Sequence, residues 1–230
     1  MSASPPEWLR PLLAAVADPP RTGFDRYAPP AVDAGRRSAV LILFGESSAG
    51  PDLLFIERSA TLRSHAGQPA FPGGVVEETD PDPAAAALRE AQEETGLDPA
   101  GVEVLATLTP LWLPPSGFVV RPVLAWWRRP TAVRAVDPAE VARVARVAVR
   151  DLADPARRTQ VVHPSGYMGP GFEVDGFLVW GFTARLVDTL LELGGWARPW
   201  DRSRVRQLPA ETARLAARDR GPREGWPEPR

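Results

Sequence analysis

A helix signal with a definite start and a definite end lies between Asp82 and Gly96 of this 230-residue chain. Asp82 suits the N-cap position, where a carboxylate accepts a hydrogen bond from the first turn, and Pro83 suits the first helical position. Gly96 can end the helix at its C-cap. The sequence therefore predicts a helix bounded by these residues and preceded by a Gly/Pro-rich loop, 67–74.

Three glutamates share one face of this helix. At about 100° per residue, Glu94 lies about 40° to one side of Glu90, and Glu93 lies about 60° to the other. Like charges this close repel by about a few tenths of a kcal/mol per pair, and a bound hard cation would reverse that repulsion. A solvated acidic face is the alternative, but the Gly73-Gly74 loop before the helix lets backbone groups approach a ligand. The pattern therefore favours a Mg²⁺ or Mn²⁺ site.

The other residues of the helix indicate how it packs. The residues expected to face the core are Ala84, Leu88, Ala91 and Thr95. Ala86 and Ala87 lie below the acidic face, where small side chains leave room above it. Arg89 lies one turn before Glu93, so that a lateral ion pair between them can form.

Strand and helix signals alternate along the rest of the chain. Continuous apolar runs predict buried strands, and Asp175-Gly176 is typical of a two-residue hairpin turn. The predicted strands are 38–45, 52–59, 102–108, 118–127, 161–163, 172–174 and 177–180, with a short extended piece at 147–152. The further predicted helices are 138–145 and 182–193. This mixture indicates an α+β or three-layer α/β/α domain.

The composition excludes several classes of protein. The chain has no Cys and no Asn, and all 27 of its basic residues are Arg. It therefore has no disulfide, thiol nucleophile, P-loop lysine or N-glycosylation site. Its formal net charge of -2 argues against a general binder of nucleic acid or of membrane surfaces. We expect no membrane-spanning segment and a cytoplasmic location.

Three regions follow from these patterns. We expect residues 1–37 to form an arm and linker around a short docking helix, and residues 38–208 to form the main domain. Residues 209–230 are polar, and we expect a mobile tail there. The amphipathic helix 182–193 can serve either the core or a contact between two copies in a homodimer.

The acidic helix also resembles a known motif. The Nudix box reads G-x5-E-x7-R-E-U-x-E-E-x-G-U, where U is a bulky aliphatic residue, and Arg89–Leu97 (REAQEETGL) is similar to its second half. Ala91 stands at the first aliphatic position. The first half differs, because the acidic residue six after Gly74 is Asp80, one residue further from Arg89 than the box allows. The coenzyme A pyrophosphatases, a Nudix subfamily, have this longer spacing.

A second signature lies upstream of the helix. In the coenzyme A pyrophosphatases it reads L-L-x-x-R-S-x-x-L-R-x-H-x-G-x-x-x-F-P-G-G. Residues 53–74 of this chain, LLFIERSATLRSHAGQPAFPGG, resemble it at every anchor, except that Leu53-Leu54 lies one residue further upstream. The two signatures cover residues 53–97, and weaker likeness elsewhere extends the resemblance to about half of the chain.

The resemblance implies a metal-dependent hydrolase that cleaves a nucleoside diphosphate from its linked group, on a Nudix-type mixed β-sheet flanked by helices. The family's metal-binding glutamates correspond to Glu90 and Glu94. Glu93 is a further ligand or assistant, and it is also the first candidate for the general base. The carbonyl of Gly74 completes the metal shell in relatives, and Arg89 is expected to orient Glu93.

The subfamily resemblance implies coenzyme A or an acyl derivative as substrate, with 3′,5′-ADP and 4′-phosphopantetheine as products. The 3′-phosphate then needs a cationic partner, and Arg58 and Arg63 of the upstream signature are the candidates. His65 is a third candidate, with a hydrogen-bonded loop position as the alternative. Glu140 is interpreted as an acidic residue at a helix N-terminus, although it can also supply an extra carboxylate. Residues 163–167 are interpreted as a hairpin loop.

Three other functions fit less of the sequence. A Nudix hydrolase for ADP-ribose, a dinucleotide or a nucleoside triphosphate would use the same acidic helix. A catalytically silent Nudix domain that senses a nucleotide or acyl-coenzyme A usually lacks a metal glutamate, and this chain has all of them. An acyl hydrolase without metal has no support, because the chain has no Cys and no G-x-S-x-G pattern.

Overall fold

The computed structural model describes residues 4–18, 24, 29, 36–62, 66–113, 117–164 and 166–208. The predicted tail 209–230 and the substrate-binding candidates Arg63 and His65 lie outside these described residues. No helix in the described part of the chain combines the length and the apolar character that a membrane crossing needs.

The described secondary structure comprises helices and strands in alternation. The helices are α1 (Arg10–Val16), α2 (Pro83–Thr95), α3 (Val149–Leu152) and α4 (Gly181–Leu193), with 3₁₀ turns at Glu7–Leu9, Pro99–Gly101 and Pro155–Arg157. The strands are β1 (Arg36–Ser47), β2 (Gly50–Arg58), β3 (Pro69–Ala70), β4 (Gly73–Val75), β5 (Val102–Thr107), β6 (Leu111–Leu113), β7 (Phe118–Trp127), β8 (Val141–Ala148), β9 (Arg158–Val162), β10 (Met168–Val174), β11 (Phe177–Val179) and β12 (Val205–Gln207).

β1 lies in the middle of an eight-stranded mixed sheet with the main strand order β3-β2-β1-β7-β5. It runs parallel to β7 along most of its length, but it pairs with β2 only on the hairpin side of the Phe44–Leu53 pair. Beyond that pair β1 and β2 separate. β4 pairs with β1 in the space between them, with Gly74 opposite Ala39, and β3 pairs with β2. The loop 67–74 therefore inserts its glycines into the middle of the sheet.

Alternating side chains of β1 pack into two different cores, as the two-residue period of a strand requires. Ala39, Leu41 and Leu43 pack with α2 on one face of the sheet. Ile42 and Phe44 pack with α1 and α4 on the other face. The sheet thus lies between helices, and the predicted α/β/α fold class is confirmed.

A smaller sheet has the strand order β11-β10-β9-β12. The β10–β11 hairpin turns through Asp175 and Gly176, whose φ angles of 49° and 75° are both left-handed. Val174 pairs with Phe177 across that turn, so the predicted two-residue hairpin is confirmed. Phe172 and Phe177 of this sheet belong to the same core as α4.

Two helices, α1 and α4, cover one face of the large sheet. The short helix predicted near the N-terminus is present as a 3₁₀ turn followed by α1, and it buries Leu9 and Leu12 completely. α4 ends before Gly194-Gly195, as predicted. Its buried residues are Ala184, Leu186, Val187, Leu190 and Leu191. Because all of them lie in the core of the same chain, this face of α4 serves the core rather than a contact between two copies.

Two predicted elements are wrong. Residues 138–145 do not form a helix, because 141–148 form β8 and pair with β2 along its length. Val141, Val144 and Val147 repeat at an interval that resembles helical periodicity, but pairing with a distant strand overrides this local pattern. The piece predicted as extended, 147–152, ends as helix α3 because β2 begins at Gly50 and offers β8 little partner beyond Ala148.

Candidate active site

The helix that carries the acidic residues begins and ends as predicted. The side chain of Asp82 accepts a hydrogen bond from the N–H of Ala85 at 2.8 Å, and Pro83 is the first helical residue. Gly96 ends the helix in the left-handed conformation, with a φ of 69°. Both ends of α2 are therefore fixed by local sequence.

The face of α2 that packs against the sheet differs in part from the predicted one. Ala91 and Thr95 are fully buried as predicted, but Ala84 and Leu88 are only partly buried. The residues that were predicted to leave room, Ala86 and Ala87, lie fully buried in the core against β1. The prediction that Ala86 and Ala87 leave room is wrong, because their small side chains let the helix approach the sheet closely. The same close approach buries Glu94.

The two glycines of β4 lie directly beneath the acidic face. The N–H of Gly73 donates a hydrogen bond of 3.0 Å to Glu94 Oε2. A Cβ at Gly73 would collide with the backbone of Ala39 and Val40, and a Cβ at Gly74 would collide with the carboxyl group of Glu90. At Gly73 the collision is with backbone, so only glycine fits there, whereas a Cβ at Gly74 would displace the Glu90 carboxyl group from its position.

Arg89 connects the acidic helix to the loop before it. Its Nε and Nη2 each lie 3.1 Å from one carboxylate oxygen of Asp80, and Nη2 also donates to the carbonyl of Val75 at 3.1 Å. Nη1 lies 3.0 Å from Glu90 Oε1 and 3.3 Å from Glu93 Oε2. This ion pair lowers the pKa of Asp80 and raises that of Arg89. Asp80, which stands one residue too far from Arg89 for the Nudix box, thus still forms a two-pronged ion pair with it.

Burial changes the acidity of Glu94 and Glu90. The Glu94 side chain is 6% exposed, and its burial raises the pKa to about 7. The Gly73 N–H and the Arg58 guanidinium favour the charged form, whereas the nearby charges of Glu90 and Glu140 oppose it. Burial likewise raises the pKa of Glu90, and the adjacent Arg89 limits that rise. Both carboxylates are therefore poorly stabilised as anions by the protein alone.

Glu140 lies near enough to Glu94 for its charge to raise the pKa of that residue, and the prediction that it begins a helix is wrong. It lies in the turn before β8, where its carbonyl accepts a hydrogen bond of 2.8 Å from the N–H of Ser59. Its side chain is exposed. The turn lies beside the site because β8 pairs with β2, and no local sequence signal indicates a pairing over such a distance.

The structure brings most of the predicted site residues together. Glu90 contacts both Arg89 and Gly74, and Glu94 joins this group through the N–H of the neighbouring Gly73. Arg58 lies at its edge, with Nη1 3.7 Å from Glu94 Oε1. Glu93 contacts Arg89, and its side chain is 60% exposed. Asp80 is a site residue that was not predicted, although its place in the Nudix box is a signal for it. His163 belongs to the β9–β10 hairpin, where its ring stacks on Trp180.

Comparison with known proteins identifies the family. Residues 35–164, more than half of the chain, match the family model described as NUDIX domain. The chain belongs to the Nudix hydrolase family. It is an enzyme of the class that hydrolyses phosphoric anhydrides in nucleoside diphosphate derivatives.

Two relatives and one solved structure illustrate the similarity of this Nudix hydrolase to others. "Uncharacterized Nudix hydrolase NudL" of Photorhabdus laumondii is 36% identical over 168 residues, which are 70% of this chain and 86% of the relative. Its namesake in Citrobacter koseri is 49% identical over 89 residues, which are 39% of this chain and 46% of that relative. The crystal structure of the Nudix hydrolase RenU from M. smegmatis is 19% identical, with a TM-score of 0.47, over 73% of this chain and 90% of that one.

Nudix hydrolases generally use divalent metal ions, and the donors of this site suit a hard cation. Among the described residues, no three His, Asp or Glu side chains form a group that could hold a metal ion by themselves. Glu90 and Glu94 nevertheless offer carboxylate oxygens, and the missing Cβ of Gly74 leaves the Glu90 carboxyl against the backbone. Mg²⁺ is commonly bound by only one or two carboxylates together with waters and substrate phosphates. This donor set therefore fits a divalent cation.

We expect the metal-free Nudix hydrolase to lose stability as the pH rises from about 4.5 to about 7. Over this range the unfolded state releases the Glu94 proton while the native state retains it, so the free energy of unfolding falls with pH. The gap between the ordinary pKa and the raised one sets an upper limit of about 3 kcal/mol on the effect.

Chemical denaturation in EDTA at several pH values measures this dependence. Glu94→Gln should flatten it, whereas Glu46→Gln, at an exposed position on the hairpin end of β1, should leave it as in the wild type. Equal slopes for the wild type and Glu94→Gln would contradict the expectation.

Proposed function

We propose that this Nudix hydrolase cleaves the diphosphate of coenzyme A or of its acyl derivatives, releasing 3′,5′-ADP and 4′-phosphopantetheine. The observation that supports this substrate is the contact between the two signatures. Arg58 and Gly73 lie near opposite ends of the upstream signature, and both approach Glu94 of the acidic helix. The residues that resemble the coenzyme A subfamily therefore belong to the same site as the residues that resemble the Nudix box.

A bound Mg²⁺ or Mn²⁺ would be held by Glu90 and Glu94, with Glu93 and the carbonyl of Gly74 as further ligands. The ion would neutralise charge on the diphosphate and lower the pKa of a water molecule. The chain's own contribution is to hold these donors in place. Arg89 fixes Glu90 and Glu93 from the side, and the Gly73 N–H fixes Glu94 from below. Positioning of this kind supplies much of the catalysis in phosphoryl chemistry.

Glu93 is the first candidate for the general base, because it lies beside Glu90 and Glu94 on one face of α2 and its side chain reaches solvent. Glu140 is the second candidate. Its charge acts on Glu94, and its exposed side chain is free to accept a proton from water near the site.

Comparing Glu93→Gln with Glu140→Gln distinguishes the two candidates. Loss of a general base costs about 10²-fold to 10⁴-fold in kcat. We expect a loss of this size for Glu93→Gln and less than about 10-fold for Glu140→Gln, measured as kcat at saturating metal and substrate. The reverse order would assign the base to Glu140.

Arg63 is proposed to recognise the 3′-phosphate of coenzyme A, because it belongs to the upstream signature and the fork of an arginine suits a phosphate. His65 of the same signature is proposed as a further substrate-binding residue. If Arg63 has this role, Arg63→Ala raises KM for coenzyme A more than for 3′-dephospho-coenzyme A, by about 10-fold for one charge-assisted contact. Steady-state kinetics with the two substrates measures the difference. Equal effects on both would argue against 3′-phosphate recognition by Arg63.

The proposed reaction is tested by mass spectrometry of products from a panel of pyrophosphate compounds. The panel contains coenzyme A, acyl-coenzyme A, ADP-ribose, a dinucleotide and a nucleoside triphosphate, each with Mg²⁺, with Mn²⁺ and with EDTA. We expect metal-dependent release of 3′,5′-ADP and phosphopantetheine from coenzyme A. Glu94→Gln should reduce turnover by at least about 10²-fold, and Glu46→Gln should not.

Other outcomes of the panel would change the proposal in different ways. Cleavage of another compound in preference to coenzyme A would retain the Nudix chemistry and reject the subfamily assignment. Cleavage of no compound by a folded protein would favour a domain that binds a nucleotide without hydrolysing it. Normal turnover by Glu94→Gln would reject the metal role of this residue.

A further inference from the structure

The backbone of Arg58 is fixed where β2 ends. The pairing of β2 with β8 shifts register there, since Glu57 lies opposite Arg143 but Arg58 lies opposite Val141. The extra residue, Ala142, lies on β8, so β8 is the strand that bends there. The irregularity therefore lies opposite Arg58, the last residue of β2.

Hydrogen bonds from the next loop hold this position. The N–H of Arg58 donates to the carbonyl of Gln68 at 3.1 Å, and its carbonyl accepts from the N–H of Gly67 at 3.0 Å. The N–H of the following residue, Ser59, donates to the carbonyl of Glu140 at 2.8 Å. Hydrogen bonds therefore hold the backbone at Arg58 and Ser59 in place before any substrate binds.

Within the described part of the chain, the guanidinium of Arg58 uses few of its donors. Nη1 lies 3.7 Å from Glu94 Oε1, which is close enough for an ion pair but too long for a hydrogen bond. Nε is buried and has no hydrogen-bond partner in the described part of the chain. By contrast, the Nε, Nη1 and Nη2 atoms of Arg89 all contact carboxylate oxygens. Arg58 thus keeps donors available beside the glutamate that is proposed to hold the metal.

We propose that Arg58 donates hydrogen bonds to a non-bridging oxygen of the substrate's diphosphate, and not to the 3′-phosphate of coenzyme A. This inference rests on the proposed cleavage of a diphosphate but not on coenzyme A as the substrate. No acceptor among the described residues pairs with the Arg58 Nε–H, and an anionic oxygen beside Glu94 is the group that would satisfy it. The 3′-phosphate lies across the ribose from the diphosphate, so a guanidinium held against Glu94 is better placed for the reacting group.

Arg58 is therefore a catalytic residue that stabilises charge on the phosphoryl oxygens during attack by water. The fork of an arginine matches two such oxygens, whereas a lysine supplies charge without that geometry. Because every substrate of a diphosphate hydrolase contains the reacting group, the contribution of Arg58 is expected to be independent of what is attached to it.

The test compares Arg58→Gln and Arg58→Lys with the wild type on coenzyme A and on 3′-dephospho-coenzyme A, in the full chain with Mg²⁺. We expect Arg58→Gln to lower kcat by about 10²-fold on both substrates, with Arg58→Lys between it and the wild type. Arg150→Gln is the matched control, since Arg150 is exposed on α3. Circular dichroism and thermal unfolding establish that each variant is folded.

A loss confined to coenzyme A would overturn the proposal, because it would assign Arg58 to the 3′-phosphate. A loss of less than about 3-fold on both substrates would overturn it as well. If the wild type prefers another diphosphate, the same comparison is made on that compound, so that failure of the coenzyme A assignment and failure of this inference are separable.

Calorimetric titration with inorganic pyrophosphate and Mg²⁺ gives a second measurement that needs no turnover. We expect Arg58→Gln to bind pyrophosphate at least about 10-fold more weakly than the wild type and Arg150→Gln to bind it equally well. Equal affinity of Arg58→Gln and the wild type would overturn the proposal.

Discussion

The carboxylate of Glu94 lies inside the protein, between α2 and the backbone of β4, and the site is built around that position. Three features allow a carboxylate to occupy this buried position: small residues beneath the helix, a backbone N–H from Gly73, and Arg58 at the edge. None of them fully compensates for burial, which raises the pKa of Glu94 to about 7. A buried acid with incomplete compensation is typical of positions where a ligand supplies the remaining stabilisation.

Features that depend on neighbouring residues could be predicted from the sequence. Asp82 and Gly96 specify both ends of α2, and Asp175-Gly176 specifies a hairpin, because the relevant hydrogen bonds and φ angles are local. The acidic residues of α2 could be assigned to one site for the same reason, since the helical period alone brings Glu90 and Glu94 together.

Features that depend on distant pairing could not be predicted. The β8 segment looks helical by itself and becomes a strand only because β2 offers it a partner. That pairing brings Glu140 near Glu94 and produces the register shift opposite Arg58, so no local pattern in the sequence indicates either. The burial of Glu94 also depends on how closely α2 approaches the sheet, which the helical period does not specify.

The ion pair between Asp80 and Arg89 bears on which changes of length the site tolerates. The segment between these residues is one residue longer than in the Nudix box, yet Arg89 contacts both carboxylate oxygens of Asp80. The loop before α2 therefore absorbs the extra residue. An insertion between Glu90 and Glu94 would instead rotate one carboxylate by about 100° about the helix axis. Insertions and deletions in this family are thus expected to accumulate ahead of the helix and to be absent within it.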